Sequence, residues 1–451
     1  MVTRRHFLGA TAAAAVAGPA ALASMLGAAR ATRPNILFIL ADDLGYGDLS
    51  SFGRPDYRTP HIDRLAREGT RLTSVYTAHC VCTPTRVALM TGRYPARLPV
   101  GLEEPIDYGV PDVVGLPPDH PTPASLLKRA GYDTALVGKW HFGYRPEYGP
   151  LRHGFDEFFG FLSGGVDYFS HQDRDGKLDL YENLDPVEKV GYLTELLTER
   201  AVQYVGRRHE RPYYLALHFN APHWPWEGPH DRHRTDSLRE AKQFANAGGS
   251  LRVYAEMMRS LDDGVGRVLA ALKKSGRERD TLVVFTSDNG GERYSFNWPA
   301  SNMKATLWEG GIRVPAFVRW PGTIPAGRVS DETIITMDWT ATMLAAGGAS
   351  ADPAYPLDGV DLLPLLRDGR PLAERTLYWR ASNTRERAIQ RAARAGRYKL
   401  LKTGDREQLF DIAADPGEKG DLAAALPDVL ARLRDAHARW ESGMLPPRAR
   451  G

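Results

Sequence analysis

Cysteine is scarce in this sequence, and the main body of the chain has no charge excess. Two cysteines among 451 residues exclude a scaffold held together by disulfides. The formal net charge is +3, and three arginines within residues 1–31, where no acidic residue occurs, account for all of it. Nucleic-acid-binding proteins usually carry a basic excess, so we expect no nucleic-acid partner. At 43% hydrophobic and 25% charged residues, the composition excludes a disordered tail and a multi-span membrane protein.

Long apolar runs are absent after residue 31, so we expect no stable membrane span in the mature chain. The chain opens with Thr3-Arg4-Arg5-His6-Phe7-Leu8-Gly9, followed by an Ala/Gly-rich stretch that reaches Ala29-Arg30-Ala31. This pattern resembles a twin-arginine signal, which the twin-arginine export machinery reads to carry folded proteins across a bacterial membrane. We therefore predict that residues 1–31 are an export signal and that the protein is periplasmic or extracellular. An uncleaved anchor helix and a flexible leader are the alternatives.

Short apolar runs alternate with amphipathic segments through most of the remaining chain. Four runs are typical of buried strands: 35–40, 134–137, 213–219 and 281–285. Helices are predicted from Thr59-Pro60 to Gly69 and from Thr122-Pro123 to Gly131, because Thr caps a helix, Pro suits its first position and Gly ends it. This alternation predicts an α/β fold with a large, mostly parallel sheet between helix layers.

The pattern changes after residue 368. The short segments 376–380 and 397–402, followed by a helix near 426–441, predict a smaller C-terminal subdomain with an antiparallel sheet. We therefore divide the chain into the signal at 1–31, a main domain at 32–368 and a C-terminal subdomain at 369–451. A polar stretch rich in Gly and His, residues 225–250, predicts a long loop.

Each of the four predicted strands runs into a polar cluster. These clusters are Ala41-Asp42-Asp43, Gly138-Lys139-Trp140-His141, Asn220-Ala221-Pro222-His223 and Ser287-Asp288-Asn289-Gly290-Gly291. Any one of them can be explained as a turn or a helix cap. In open α/β sheets, however, ligands bind beyond the carboxyl ends of the strands, so four such clusters predict one shared site.

Three acidic residues and one asparagine in these clusters form a ligand set made of oxygen alone. Such a set suits Ca²⁺ or Mg²⁺ rather than zinc, which prefers nitrogen and sulfur ligands. We predict one divalent cation, with Ca²⁺ preferred over Mg²⁺, held by Asp42, Asp43, Asp288 and Asn289.

Both cysteines lie in the segment Cys80-Val81-Cys82-Thr83-Pro84-Thr85-Arg86. A bridge between residues i and i+2 is strained, so we expect no disulfide here and a buried thiol at Cys80. Pro84 can open a helix that Gly92 closes, which places Cys82 at a helix N-terminus, where backbone amides favour an anion. A plain thiol at Cys82 is therefore expected to be an acidified nucleophile.

The same segment, followed by Leu89-Met90-Thr91-Gly92-Arg93, resembles the signature of the type I sulfatases, a family that includes arylsulfatases and N-acetylgalactosamine-6-sulfatases. Further blocks match the family in its order: residues 33–47, 138–143, 221–225 and 309–315, and then Leu409-Phe410-Asp411 with Asp415-Pro416 and Glu418. The resemblance covers nearly all of residues 33–425. It implies the alkaline-phosphatase-like fold, with the catalytic domain at 32–368.

The resemblance also implies a mechanism. In this family a formylglycine-generating enzyme oxidises the signature cysteine to formylglycine, an aldehyde that becomes a geminal diol. In the implied site Cys82 is the nucleophile, Arg86 holds it, and Lys139 and His141 lie beside it. His223 and Lys304 contact the sulfate and the leaving oxygen. The implied calcium ligands are Asp42, Asp43, Asp288 and Asn289. The implied activity is hydrolysis of aryl or carbohydrate sulfate esters through a formylglycine-diol nucleophile and a sulfated-enzyme intermediate. His223, with Lys304 as the second candidate, protonates the leaving group, and His141 accepts a proton as sulfate is expelled.

Two other functions stay open on the sequence alone. Relatives on this fold use the same cysteine to hydrolyse phosphonate monoesters or phosphodiesters, and a non-catalytic binder of sulfated glycans would leave Cys82 unmodified. A binder needs no matched leaving-group acid, so the full set of candidates argues against it. The choice between aryl and sugar substrates is also open. Five aromatic residues can line a substrate pocket or pack in the core: Trp140, Trp224, Trp226, Trp298 and Tyr168.

Overall fold

The first strand, β1 (Asn35–Ala41), is buried on both faces, as its uninterrupted apolar sequence predicts. Its side chains alternate between two hydrophobic cores: Leu37 and Ile39 enter one, and Ile36 and Phe38 enter the other. A strand that feeds two cores lies inside a sheet that is covered on both sides.

The computed structural model describes residues 33–106, 114–144, 146–235 and 248–447. The predicted signal at residues 1–31 lies outside these ranges. Within them, no helix combines the length and the apolar character that crossing a bilayer requires.

The large sheet positions the polar clusters. Its strands are β1, β2 (Thr70–Tyr76), β3 (Asp133–Lys139), β4 (Glu157–Phe161), β5 (Tyr181–Glu182), β6 (Asp185–Pro186), β7 (Tyr213–His218), β8 (Thr281–Ser287), β9 (Arg313–Arg319), β10 (Arg328–Ser330) and β11 (Ile334–Ile335). Their order is β10-β2-β9-β8-β1-β7-β3-β4-β5-β6, with β11 beside β2. The four strands predicted from the sequence, β8, β1, β7 and β3, are neighbours and run parallel. Their carboxyl ends therefore meet at one edge of the sheet.

Helices cover both faces of this sheet. The helices of the described residues are α1 (Pro60–Glu68), α2 (Cys82–Thr91), α3 (Pro123–Arg129), α4 (Leu193–Gly206), α5 (Leu251–Lys274), α6 (Glu309–Ile312), α7 (Thr336–Gly347), α8 (Leu363–Asp368) and α9 (Pro427–Ser442). Side chains of α1, α4 and α5 enter one core, and side chains of α2, α3, α7 and α8 enter the other. The predicted α/β fold with a sheet between helix layers is confirmed.

Short 3-10 turns connect several of these elements. They lie at Ser50–Phe52, Pro95–Arg97, Pro99–Leu102, Pro146–Tyr148, Pro150–His153, Arg232–Arg234 and Glu278–Asp280. The described part of the predicted loop at 225–250 contains the turn at Arg232–Arg234.

The two predicted helix starts differ in how they are capped. Thr122 caps α3 as expected, since its hydroxyl accepts a hydrogen bond from the Ser125 amide at 3.1 Å. Thr59 occupies the position before α1, but its hydroxyl makes no capping bond. The Asp262 carboxylate on α5 accepts the first amides of α1 instead, including that of Ile62 at 2.7 Å. A residue 200 positions away in the sequence thus replaces the local cap.

The C-terminal residues form a second, smaller sheet. Its antiparallel strands are β12 (Thr376–Ala381), β13 (Gln390–Ala395), β14 (Tyr398–Thr403) and β15 (Arg406–Asp411). Helix α9 packs Leu433 onto one face of this sheet, and the other face joins a core shared with β2 and α2. The predicted antiparallel sheet and C-terminal helix are confirmed, and the predicted boundary at 368 falls at the end of α8.

A buried charge cluster joins the small sheet to α6. Lys399 donates from Nζ to Glu309 at 3.0 Å and to Glu418 at 2.8 Å, and the Glu309 amide donates to Glu418 at 2.7 Å. Burial raises the pKa of Glu418 to about 7. For Glu309, burial acts in the same sense, but Lys399 and then Arg313 outweigh it and lower the pKa. Lys399 therefore stabilises the charged form of Glu309 more strongly than that of Glu418.

Candidate active site

Three carboxylates and an amide meet where β1 and β8 end. Oxygen atoms of Asp42, Asp43 and Asp288 all lie within 4.8 Å of one another, and all three residues are buried. The Asn289 amide donates to Asp43 Oδ1 at 2.7 Å. Among the described residues, neither Asn289 Oδ1 nor Asp42 Oδ1 has a hydrogen-bond partner.

Buried oxygen atoms without partners are costly, so this arrangement has a place for a cation. The charge balance points the same way, because burial and then Asp288 raise the pKa of Asp42 well above its usual value. A bound positive ion would offset both effects. The four residues that the sequence predicts as metal ligands are therefore brought together, and their oxygen chemistry fits the predicted ion.

Each of the three carboxylates also lies close to a cationic side chain. Lys139 Nζ lies 2.6 Å from Asp42 Oδ2, Arg86 Nε lies 2.9 Å from Asp288 Oδ2, and Lys304 Nζ lies 2.6 Å from Asp43 Oδ2. All three cations are buried. The predicted cationic residues thus surround the acidic cluster, and the site contains both positive and negative side chains.

Cys82 begins helix α2 and reaches this cluster. Its Sγ lies within 4.8 Å of an Asp42 oxygen and a His223 nitrogen, and the residue is 2% exposed. Gly92 ends the helix in the left-handed conformation at φ 67°, as predicted. Cys80 is also a buried free thiol, as predicted.

The expected acidity of the Cys82 thiol is wrong. Burial raises its pKa, and the opposing effects of Lys139 and then Lys304 are too small to reverse that shift. The sequence shows that Cys82 opens a helix, but it does not show how completely the surrounding segments exclude water. An unmodified thiol here is a poor anion.

Two histidines follow β3 and β7. His141 Nε2 lies 3.3 Å from the Ile106 carbonyl oxygen, and its Nδ1 has no partner among the described residues. His223 Nδ1 lies 2.6 Å from the Trp224 carbonyl oxygen, and its Nε2 lies 3.7 Å from Asp43 Oδ2. Burial lowers the pKa of both histidines well below the usual value, and Lys139 or Lys304 nearby adds to the effect. Both rings are therefore neutral near pH 7.

Two of these residues hold unusual backbone conformations. Asp43 has φ 63° and His141 has φ 68°, both in the left-handed region that non-glycine residues avoid. Such strain persists where the surrounding structure imposes it, and it is common at functional sites.

A cavity of about 260 Å³ opens above this cluster. Cys82, His141, His223 and Lys304 line it. Of the five aromatic residues considered from the sequence, Trp224 lines the cavity, whereas Trp140, Trp226 and Tyr168 are buried core residues and Trp298 is 63% exposed.

Gly164 and Gly165 form a closely fitted wall of the cavity. A side chain at Gly164 would put a Cβ atom 2.8 Å from the His141 ring, and one at Gly165 would put it 3.0 Å from the His223 ring. A side chain at Gly164 would therefore displace the His141 ring, and one at Gly165 would press against the His223 ring. The neighbouring Ser163 hydroxyl donates to the Gly165 carbonyl at 3.1 Å.

The rim of the cavity includes residues that sequence reasoning missed. Tyr144 and Arg174 come from loops of the main domain, and Asn383 comes from the loop between β12 and β13. The Glu104 carboxylate holds that loop by accepting the amides of Ser382 and Asn383, each at 2.6 Å. No local pattern marks these positions, because long-range packing alone brings them to the rim.

Arg385, in the same loop, reaches the segment that carries Lys304. It donates from Nε to the Lys304 carbonyl oxygen at 3.0 Å and pairs with Glu292 at 2.5 Å. Glu292 in turn lies 3.8 Å from Lys304 Nζ. Sequence reasoning gave no sign of this contact between the small sheet and a candidate site residue.

Comparison with known proteins identifies the family. The family model described as Sulfatase matches residues 34–349, and one described as N-sulphoglucosamine sulphohydrolase, C-terminal, matches residues 302–435. The N-acetylgalactosamine-6-sulfatase of Mus musculus is 36% identical over 386 residues, which cover 79% of this chain and 71% of that protein.

Solved structures agree in fold. Ps i-CgsB, solved in complex with k-i-k-neocarrahexaose, has 33% sequence identity and a TM-score of 0.81 over 92% of this chain and 94% of its own. The phosphonate monoester hydrolase of Agrobacterium radiobacter is 22% identical with a TM-score of 0.64 over 90% of this chain and 94% of its own, a likeness that shows the fold alone. The predicted alkaline-phosphatase-like fold is confirmed. Since a family model covers most of the chain and a relative is 36% identical to it over 79% of its length, this chain belongs to the type I sulfatases, enzymes that hydrolyse sulfate esters.

Proposed function

We propose that the protein removes sulfate from sulfated sugars, with Cys82 converted to formylglycine as its nucleophile. One observation carries this proposal: Cys82 lies within 4.8 Å of both Asp42 and His223, at a cavity that neutral histidines and lysine also line. A sulfate ester repels nucleophiles through its negative oxygens, and a site lined with cations offsets that repulsion. The preference for sugars rests on the relatives, since one is named for a sulfated amino sugar and one was solved with k-i-k-neocarrahexaose.

Asp42, Asp43, Asp288 and Asn289 would hold a divalent cation, with Ca²⁺ preferred over Mg²⁺. The partnerless Oδ1 atoms of Asp42 and Asn289 support this assignment. When bound, the ion supplies positive charge that counters the sulfate oxygens and favours deprotonation of a nearby hydroxyl. Calcium also suits a site with several carboxylates and no nitrogen or sulfur ligand in the set.

The modification of Cys82 explains why its buried thiol need not be acidic. Formylglycine, once hydrated, supplies two hydroxyl groups on one carbon, so one can bond to sulfur and the other can later release sulfate as the aldehyde forms again. A thiol or a serine hydroxyl lacks the second group. The raised pKa of the unmodified Cys82 thiol is therefore no obstacle to the proposed reaction.

The surrounding side chains provide charge and proton transfer. Arg86 and Lys139, each paired with a carboxylate, hold positive charge close to Cys82. His141 is neutral and has a partnerless Nδ1, so it can accept a proton as sulfate is released.

His223 and Lys304 are the candidates for protonating the leaving oxygen. They differ in charge: burial keeps His223 neutral, whereas Asp43, acting against burial, raises the pKa of Lys304 and keeps it protonated. Lys304 therefore carries a proton to donate at neutral pH, and His223 must first acquire one.

Turnover of matched esters tests the proposal. The protein, produced together with a formylglycine-generating enzyme, should hydrolyse N-acetylgalactosamine 6-sulfate and 4-nitrophenyl sulfate. It should act far more slowly on a phenylphosphonate monoester and on bis(4-nitrophenyl) phosphate. A clear preference for the phosphorus esters would replace this function with phosphonate monoester or phosphodiester hydrolysis. Mass spectrometry of the tryptic peptide that contains Cys82 should find an aldehyde.

We also propose that residues 1–31 export the folded protein through the twin-arginine route. Cys82 is almost completely buried in the fold, so a modifying enzyme must reach it before folding ends. Oxidation in the cytoplasm followed by export of the folded chain satisfies this order. Replacing Arg4 and Arg5 by lysine should retain active enzyme in the cytoplasm, and unchanged export of that variant would contradict the route.

A further inference from the structure

The cavity at Cys82 carries a positive side chain that the proposed reaction does not use. We propose that Arg174 is a specificity-determining residue that binds a second anionic group of the substrate. The enzyme would then prefer sugar units that carry a carboxylate or a second sulfate besides the ester that is cleaved. This inference rests on the proposed function and extends it to the substrate class.

The charge of the cavity wall supports a doubly anionic ligand. Among the described residues that line the cavity, Arg174 and Lys304 are cationic and none is acidic. Lys304 already faces Asp43 at 2.6 Å and belongs to the cluster at Cys82. Arg174 lies outside that cluster and is exposed, so the cavity extends its positive character beyond the place where the sulfate ester reacts.

Arg174 lies on an ordered turn. The buried Asp173 accepts the amides of Asp175 and Lys177 through Oδ1, each at 2.9 Å, and its carbonyl oxygen accepts the Gly176 amide at 3.0 Å. A turn held by three such bonds keeps the backbone of Arg174 in place at the rim. Less conformational freedom is then lost when its guanidinium binds a ligand.

The same segment is tied to the wall that faces the histidines. Asp179 accepts the amides of Leu162 and Ser163 at 3.0 Å and 2.9 Å, immediately before the two glycines that contact His141 and His223. Asp179 is buried, and only a few residues separate it from Arg174. The position of the arginine is therefore coupled to the wall that surrounds the reacting group.

The size of the cavity limits what Arg174 can reach. A volume of about 260 Å³ lies just below the roughly 300–1,000 Å³ of sites for drug-sized ligands, so it suits one sulfated ring. Trp224 gives that ring an aromatic surface. The second anionic group consequently belongs to the same ring or to the one next to it. Arginine binds carboxylates and sulfates alike through its planar fork of donors.

Two pairs of substrates show whether the second anionic group is a sulfate or a carboxylate. The first compares N-acetylgalactosamine 6-sulfate with the 4,6-disulfate. The second compares a uronate-bearing disaccharide 6-sulfate with its uronamide. For the wild-type enzyme we expect kcat/KM to favour the more anionic member of at least one pair by about tenfold or more, the effect of one hydrogen bond to a charged group. The pair that shows the preference identifies the group.

Three variants complete the experiment. Arg174→Gln should abolish the preference by lowering kcat/KM for the more anionic member of the pair much more than for the less anionic member, and Arg174→Lys should retain part of the preference. Lys177→Gln removes the same charge from the same turn at a residue that does not line the cavity, so it should behave as the wild type. Absence of any preference in the wild type, or equal losses on both members of each pair in Arg174→Gln, overturns the inference. If the wild type cleaves no sulfate ester at all, the proposed function itself is wrong.

Discussion

The guanidinium of Arg385 donates a hydrogen bond from Nε to the backbone carbonyl oxygen of Lys304 at 3.0 Å. This bond crosses from the small sheet to the segment that carries a candidate proton donor. The backbone adds a second link, because the Arg385 amide donates to the Ala305 carbonyl at 2.9 Å. The small sheet therefore helps to determine where Lys304 lies.

We expect Arg385→Ala to lower kcat for a sugar sulfate by about tenfold or more, because a displacement of about 1 Å at a reacting group can cost a hundredfold. The loss should be smaller on 4-nitrophenyl sulfate, whose leaving group needs little protonation. Arg397→Ala, which removes an exposed pair with Asp411 on the same sheet, is the matched control and should leave both activities unchanged. Equal losses on both substrates would indicate a structural role only.

The leaving-group acid can be identified by the same two substrates. If Lys304 donates the proton, Lys304→Ala should reduce turnover of the sugar sulfate by roughly 10²–10⁴-fold and reduce turnover of 4-nitrophenyl sulfate much less. His223→Ala should then affect both substrates to a similar extent. The reverse pattern would assign the proton to His223. Initial rates at saturating substrate provide the measurement.

The two cysteines should differ sharply on replacement. Cys82→Ser should lose activity by at least about a thousandfold, since serine cannot supply the second hydroxyl that releases sulfate. Cys80→Ala should keep its activity and lose about 1 kcal/mol of stability, as expected for a small cavity in the core. A hydrazide reagent should label the wild type and Cys80→Ala but not Cys82→Ser. Sulfate ester hydrolysis by a preparation that contains only thiol at position 82 would refute the proposed nucleophile.

Removal of divalent ions should weaken both activity and stability. Without an ion, Asp42, Asp43 and Asp288 repel one another in a buried site. Dialysis against EGTA should therefore abolish turnover and lower the melting temperature, and Ca²⁺ should restore both. An ion at one hundred times its Kd contributes about 2.7 kcal/mol.

Asn289→Ala should require more Ca²⁺ for the same recovery, because it lacks one of the partnerless oxygen atoms. Elemental analysis of the dialysed protein is the control. Full turnover by protein shown to hold no divalent ion would exclude the proposed metal site.

The charge cluster around Lys399 predicts a dependence of stability on pH. Burial raises the pKa of Glu418 from 4.5 to about 7, so the folded state holds a proton that the unfolded state releases. This contribution to stability is complete below pH 4.5 and is lost as the pH rises through 7. Glu418→Gln should therefore show a smaller fall in its urea midpoint over this interval than the wild type.

Other charges also face Glu418. Lys399 and Glu309 act on Glu418 directly, and Arg313 and Arg394 act on its neighbour Glu309. Glu407→Gln changes a carboxylate nearer the surface of the same sheet and should leave the pH dependence of the wild type intact. If Glu418→Gln matches the wild type at every pH, Glu418 does not titrate as proposed.

The sequence predicts those parts of the fold and site that depend on local pattern. Continuous apolar runs mark strands such as β1 and β8, and parallel strands necessarily bring their carboxyl ends to one edge. For that reason the sequence alone predicts that Asp42 and Asp288, 246 positions apart in the chain, lie close together. The signature around Cys82 supplied the family.

Features that depend on long-range packing could not be predicted in this way. Arg174 and Asn383 reach the cavity through the placement of whole loops, and Asp262 caps α1 from a distant helix. The acidity expected for Cys82 was wrong for the same reason. A helix N-terminus is visible in the sequence, whereas the exclusion of water around it is a property of the assembled fold.

The loop between β12 and β13 brings Asn383 to the cavity and Arg385 to Lys304, although none of its residues belongs to the strands that carry the acidic cluster. Substrate selectivity can therefore change when this one loop is replaced, while the residues around Cys82 stay the same. The loop can be replaced by that of a relative with a different substrate preference, with Glu104 and Arg385 retained. Such a replacement is a direct way to obtain enzymes that cleave different sulfate esters.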